Sequence, residues 1–168
     1  MKPLPHARLP ILLAIAAALL AACGGSSSPN TTTPTPLTVA QIQARYTAAA
    51  THYNTGEEQI ATTENGVCDA GSATVSLTAC QTALSGQRQL TIAYDNALRA
   101  IPFSGNATTE SARLLGDDAA IEKLLEQAAT APAITVIATL QAQVIPLLAT
   151  AATDATALRT AIGLSAPA

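Results

Sequence analysis

From Leu37 onward, apolar residues recur every three or four positions, and the pattern is interrupted three times by turn-forming residues. Ile42, Tyr46, Ala49, Tyr53 and Ile60 share one face of a first helix. Thr38 and Gln41 have the spacing of a capping box, and Leu37 and Ile42 that of a hydrophobic staple. This predicts a helix running to about Thr63 and ending at Glu64-Asn65-Gly66. A loop containing Cys68 follows, over residues 65–75. A second helix is expected from near Ser76, with Leu77, Cys80, Leu84, Thr91, Tyr94, Leu98 and Ile101 inward, closed by Pro102 and Gly105. A third begins near Thr108 or Thr109 and shows Leu114, Ile121, Leu125 and Ala128. The fourth begins near Pro132, a good first-turn residue, and carries Ile134, Ile137, Val144, Leu148, Ala151, Ala155, Leu158 and Ile162. Gly163 followed by Leu164 reads as its C-terminal cap.

Four amphipathic helices with short connections predict an all-α, up-and-down antiparallel four-helix bundle. A three-helix bundle with the last helix broken at Pro146 is the alternative. Strand signals are poor, because the β-branched cluster from Ile134 to Ile137 continues in helical register. Hydrophobic residues make up 49% of the chain, but many are Ala, so the core should be thin and the helices close. Gly56, Gly86 and Gly116 fall inside the first three helices and Pro146 inside the fourth. In an up-and-down arrangement these four share a belt about 10 Å deep. The belt is expected to be a waist or a small pocket beside Gly56, with chance placement as the competing reading.

The first 36 residues follow a different pattern. Lys2, His6 and Arg8 precede an apolar run from Leu9 to Leu20. At about 12 residues that run suits a signal peptide and is short of the ~20 needed to span a bilayer. Leu20-Ala21-Ala22-Cys23 then resembles the lipobox of bacterial lipoproteins. The resemblance covers only this segment, and it implies cleavage before Cys23 and acylation of that residue. Ordinary secretion and an uncleaved anchor are the competing readings. The implied organisation is a signal peptide over 1–22, a Gly/Ser/Thr/Pro-rich disordered linker over 23–36 and a helical domain over 37–168. Fully extended, the linker reaches roughly 40 Å. The domain would then be lipid-anchored on the extracytoplasmic side, at the cell membrane or the outer membrane. Gly24 stands where Asp would resemble an inner-membrane retention signal, which favours the outer membrane in a two-membrane cell.

Charge and cysteine content narrow the chemistry. Without residues 1–22, six Lys and Arg face 11 Asp and Glu, a balance of −5 that argues against a nucleic-acid partner. An aromatic fraction of 2% leaves no platform for stacking bases or sugars. With Cys23 lipidated, Cys68 and Cys80 remain, and an oxidising exterior favours a disulfide between them over a redox or metal pair.

Catalytic candidates are few. His52 is the only histidine after the signal peptide and stands beside the inward-facing Tyr53, a rim position rather than that of a base or ligand. No Glu-x-x-His pair, haem-attachment motif, phosphate loop or nucleophile elbow occurs, so neither metal nor cofactor is expected. Asp118, Glu122 and Glu126 stand at steps of four, which reads as a solvated face in preference to a cation site. Asp117 falls between Leu114 and Ile121 and is expected to be partly buried, with an Arg partner. Glu57 and Glu58 read as surface. The chain is therefore expected to be a non-enzymatic binding or protein-interaction module of the cell envelope. A small-molecule or ion receptor with a cavity between the helices is the alternative.

Overall fold

The computed structural model describes residues 36–165. The expected signal peptide, the expected lipidation site Cys23 and the expected linker up to residue 35 lie outside the described residues. Four helices follow one another: α1 (Val39–Val67), α2 (Leu77–Arg99), α3 (Asn106–Ala129) and α4 (Ile134–Ala161). No strand occurs among the described residues, and the architecture is an all-α four-helix bundle.

Each boundary has a local cause. Thr38 caps α1 reciprocally: its Oγ1 accepts from the Gln41 amide at 3.2 Å, and Gln41 Oε1 accepts from the Thr38 amide at 2.8 Å. The helix runs four residues past the expected Thr63, because the following loop satisfies the carbonyls of its last turn. The Cys68 amide donates to Glu64 O at 2.8 Å and the Ser76 amide to Val67 O at 3.0 Å. Gly66 O accepts from the hydroxyls of Ser72 and Thr74. Helix α2 starts after a Ser76 cap. Helix α3 starts at Asn106, two residues earlier than Thr108, after Gly105, whose φ of 58° favours a residue without Cβ. Helix α4 starts two residues after Pro132 and continues through Pro146. Residues 142 and 146 are both exposed, so the carbonyl that loses its donor at this proline is open to water. At its end Gly163 takes φ 79°, with Gly163 N–H donating to Thr160 O and Leu164 N–H to Arg159 O. That is a Schellman motif.

Sequential helices pack on one another, and α3 and α4 share the most extensive face. The core is built from Tyr46 of α1, Leu84, Tyr94 and Leu98 of α2, Leu114, Ile121 and Leu125 of α3, and Ile137, Val144 and Leu158 of α4. The predicted inward faces of all four helices supply it. Helices α1 and α4 meet instead through long side chains. Gln43 Nε2 donates to Ile162 O at 2.8 Å, and Tyr46 OH donates to Ala155 O at 3.3 Å. By length and composition α4 could cross a membrane, yet it contributes four buried residues to this core. A disulfide joins Cys68 to Cys80 with their Cα atoms 4.9 Å apart, tying the end of α1 to the first turn of α2.

The four-residue waist is corrected by the structure. A Cβ at Gly56 would lie 2.6 Å from Leu90 Cδ2, so α1 approaches α2 closely there. At Gly86 it would meet only Ile60 Cδ1 at 3.9 Å, an ordinary contact, and at Gly116 nothing within 4 Å. Pro146 is exposed. Only Gly56 therefore answers to close packing.

Candidate functional site

A cleft follows the seam between α1 and α4. The seam is edged by Ala50 of α1 and by Ala151, Ala152 and Ala155 of α4, whose short side chains leave the gap unfilled. The result is a cleft of about 410 Å³, within the size range of small-molecule sites. Its floor is laid by Tyr46, Tyr53, Tyr94, Leu114 and Asp118, from three helices. Glu57 and Asn54 stand toward one end and Arg159 toward the other. Tyr46 bonds near Arg159, and Glu57 lies 11 residues further along α1, so the two ends are roughly 16 Å apart.

Few aromatics occur in this chain, and its three tyrosines gather here. The rings of Tyr53 and Tyr94 lie 4.9 Å apart, tilted by 35°. The Tyr46 and Tyr94 hydroxyls are close enough to influence each other. Burial pushes all three hydroxyls well above the usual tyrosine value, so they remain protonated donors at physiological pH.

Beneath them lies a buried carboxyl pair. Asp95 of α2 is 0% exposed and Asp118 of α3 is 5% exposed. Arg99 Nη2 donates to Asp95 Oδ2 at 2.9 Å. Asp95 Oδ1 and Asp118 Oδ2 find no donor among the surrounding groups. Two ionised carboxylates at this separation would repel, so one proton shared between them resolves both facts. Burial first, and then the neighbouring Asp95, push the Asp118 carboxyl up to about 8. Asp95 is raised too, by burial, with Asp118 and Arg99 opposing. Glu57, which accepts from Gln87 Nε2 at 3.2 Å, is raised by burial, and its Oε1 is also without a donor. Asp118 and Glu57 line the cleft, whereas Asp95 supports Asp118 from behind.

This arrangement reverses one reading of the third helix and changes the partner in another. Asp118, expected on a solvated stripe with Glu122 and Glu126, is buried, because Leu114, Asp118, Ile121 and Leu125 step by four, three and four. Asp117, expected on the core line beside an Arg, is half-buried, and its charged neighbour is Asp154 of α4. Glu122 is half-buried, and Glu126 stays exposed with Arg88 at 3.7 Å. Glu57 is half-buried, not surface, while Glu58 is exposed. His52 is exposed on α1, beside a shallow groove that includes Gly56 and lies apart from the cleft. Cys68 and Cys80 pair at the bundle end and do not reach the cleft. Among the described residues no three His, Cys, Asp or Glu side chains converge to hold a metal ion. Asp95, Gln87, Arg99 and Arg159 were not singled out from sequence. The available signal was polar residues on inward positions, since Gln87 fills the gap between Leu84 and Thr91.

Chemically, the cleft offers tyrosine faces and hydroxyl donors, one carboxyl pair that exchanges a single proton, a second carboxyl, and a guanidinium at the far end. No protein-family model, curated protein or solved structure matches the chain.

Proposed function

We propose that this chain is a lipid-anchored, extracytoplasmic binding protein that takes a small molecule into the cleft between α1 and α4. The single observation that carries the reading is the cleft itself, floored by three tyrosines and by an Asp118 carboxyl whose Oδ2 finds no donor. A surface carboxylate would cost nothing, and a buried one costs several kcal/mol. Its retention on the floor of an accessible cavity is accounted for by a ligand. The lipobox resemblance at Cys23 and the Cys68–Cys80 pair support an oxidising compartment outside the cytoplasm. We read binding rather than catalysis because the ionisable groups lining the cleft, Glu57, Asp118 and Arg159, hold and orient a ligand without forming a nucleophile–base pair. Screening small molecules by thermal shift tests the reading. A ligand present at 100 times its Kd raises stability by about 2.7 kcal/mol, a rise of several degrees in Tm. Mass spectrometry of the N-terminal peptide from the native host tests the anchor; an unmodified Cys23 refutes it.

A second reading, a protein-interaction module, rests on the outer face of α4. There Ile145 is 66% exposed. Replacing Ile145 with Lys would abolish co-purification of an envelope partner if that face docks one, and would leave ligand binding in the cleft unchanged.

A further inference from the structure

We infer that the cleft's ligand is a small organic ammonium ion, seated with its cationic head against Asp118 and Glu57 and its apolar body along the alanine-lined walls. The inference rests on the small-molecule reading above and names its chemical class.

Three features converge on a cation. The first is charge. Asp118 interacts with Tyr53 of α1, Tyr94 and Asp95 of α2, and Asp117 and Glu122 of its own helix, and Glu57, a neighbour of Tyr53, lines the same cleft. Arg99 is engaged by Asp95, and the guanidinium of α4, Arg159, lies at the opposite end and is held by Ser165 O at 3.0 Å. The end around Asp118 is therefore acidic without a free counter-charge from the protein. The second feature is the orphaned oxygens. Asp118 Oδ2 and Glu57 Oε1 both accept and find no donor, and a primary ammonium carries three donors. The third is the aromatic floor. The tilted Tyr53 and Tyr94 rings offer π-faces to a cation, an attraction that strengthens as water is excluded.

A neutral ligand would leave the carboxyl pair on its shared proton, and an anion would be repelled. An ammonium ion takes the proton's place: Asp118 releases H⁺ to solvent, and the ammonium charge balances the carboxylate left behind. Binding is consequently linked to release of one proton. With Asp118 up at about 8, affinity for an amine that stays charged rises by roughly 50-fold from pH 6 to pH 8 and then levels. A long diammonium ion is disfavoured, because its second charge would approach Arg159.

The test is calorimetry on the mature chain with hexylammonium, hexanol, hexanoate and calcium chloride, each alone. The variants are Asp118→Asn and Ala152→Trp, the second placing a large ring at an exposed cleft-lining position away from the carboxyls. Hexylammonium is expected to bind at least tenfold more tightly than hexanol or hexanoate, with one proton released as counted in two buffers of different ionisation enthalpy. Asp118→Asn should weaken hexylammonium at least tenfold and leave hexanol unchanged, and Ala152→Trp should abolish both. Hexanol or hexanoate binding as tightly as hexylammonium, and lost in Ala152→Trp, overturns the cation while the small-molecule cleft stands. Calcium alone binding in an Asp118-dependent way overturns the organic class. Failure of all three organic probes, or binding that survives Ala152→Trp, overturns both readings.

Discussion

Replacing Asp118 with Asn is expected to stabilise the protein, and to do so increasingly as pH rises. In the folded state the Asp118 carboxyl is held up near 8, against 3.8 when unfolded. A raised carboxyl means that the folded chain binds a proton the unfolded chain has already lost, so stability falls with pH across that interval. At about 1.36 kcal/mol per pH unit, full passage through the window costs on the order of 5 kcal/mol. The Asp118→Asn substitution removes that loss. The new side-chain amide also supplies the donor that the Asp95 carboxylate lacks. Urea denaturation followed by helix circular dichroism at pH 5, 6, 7, 8 and 9 measures the effect. The wild-type midpoint should fall steadily between pH 5 and pH 8, with Glu57 and Asp95 adding in the same direction. The variant's profile should be markedly flatter and lie above it at pH 8. Parallel profiles for the two proteins would refute the buried, proton-sharing pair.

Other outcomes follow from separate parts of the bundle. Gly116→Ala should stabilise by about 1 kcal/mol, since nothing lies within 4 Å of the new methyl group, raising Tm by a few degrees. Gly56→Ala should gain less or lose, because Leu90 must move from a position 2.6 Å away; thermal melts of both variants separate the two sites. Reducing the Cys68–Cys80 bridge should cost about 3 kcal/mol for so short a closed loop, read as a drop in urea midpoint with reductant. Tyr46→Phe should cost about 1 kcal/mol by removing the hydroxyl bond to Ala155 O, and equal midpoints for variant and wild type would count against that contact.

The helices and their inward faces were legible because spacing at three and four residues is a property of the chain alone. Thr38 with Gln41, and Gly163 with Leu164, announced their caps for the same reason. The end of α1 was not legible. Asn65-Gly66 is a turn signal locally, but loop hydroxyls and the Cys68–Cys80 bridge keep it helical, and both act from outside the helix. The candidate site was hidden by the rule that finds cores. Apolar residues mark the inward face, so Asp95, Gln87 and Asp118 register as gaps rather than as positions. One residue on a helix is about 100° of rotation, which is why Asp118 rather than its neighbour reaches the core. The cleft depends on how far α1 stands from α4, and that distance follows from several alanines acting together rather than from any motif.

The two bonds that link α1 to α4, Gln43 to Ile162 O and Tyr46 to Ala155 O, both sit in the first two turns of α1. They act as a clasp at one extremity, while the covalent Cys68–Cys80 tie fixes the opposite extremity of the same helix to α2. Among the described residues, a molecule settling on the tyrosine floor meets two side-chain hydrogen bonds across that seam, and no helical ladder need break for them to part. Tyr46 belongs to the floor and to the clasp at once, so an occupant that claims its hydroxyl would loosen the catch that closes over it.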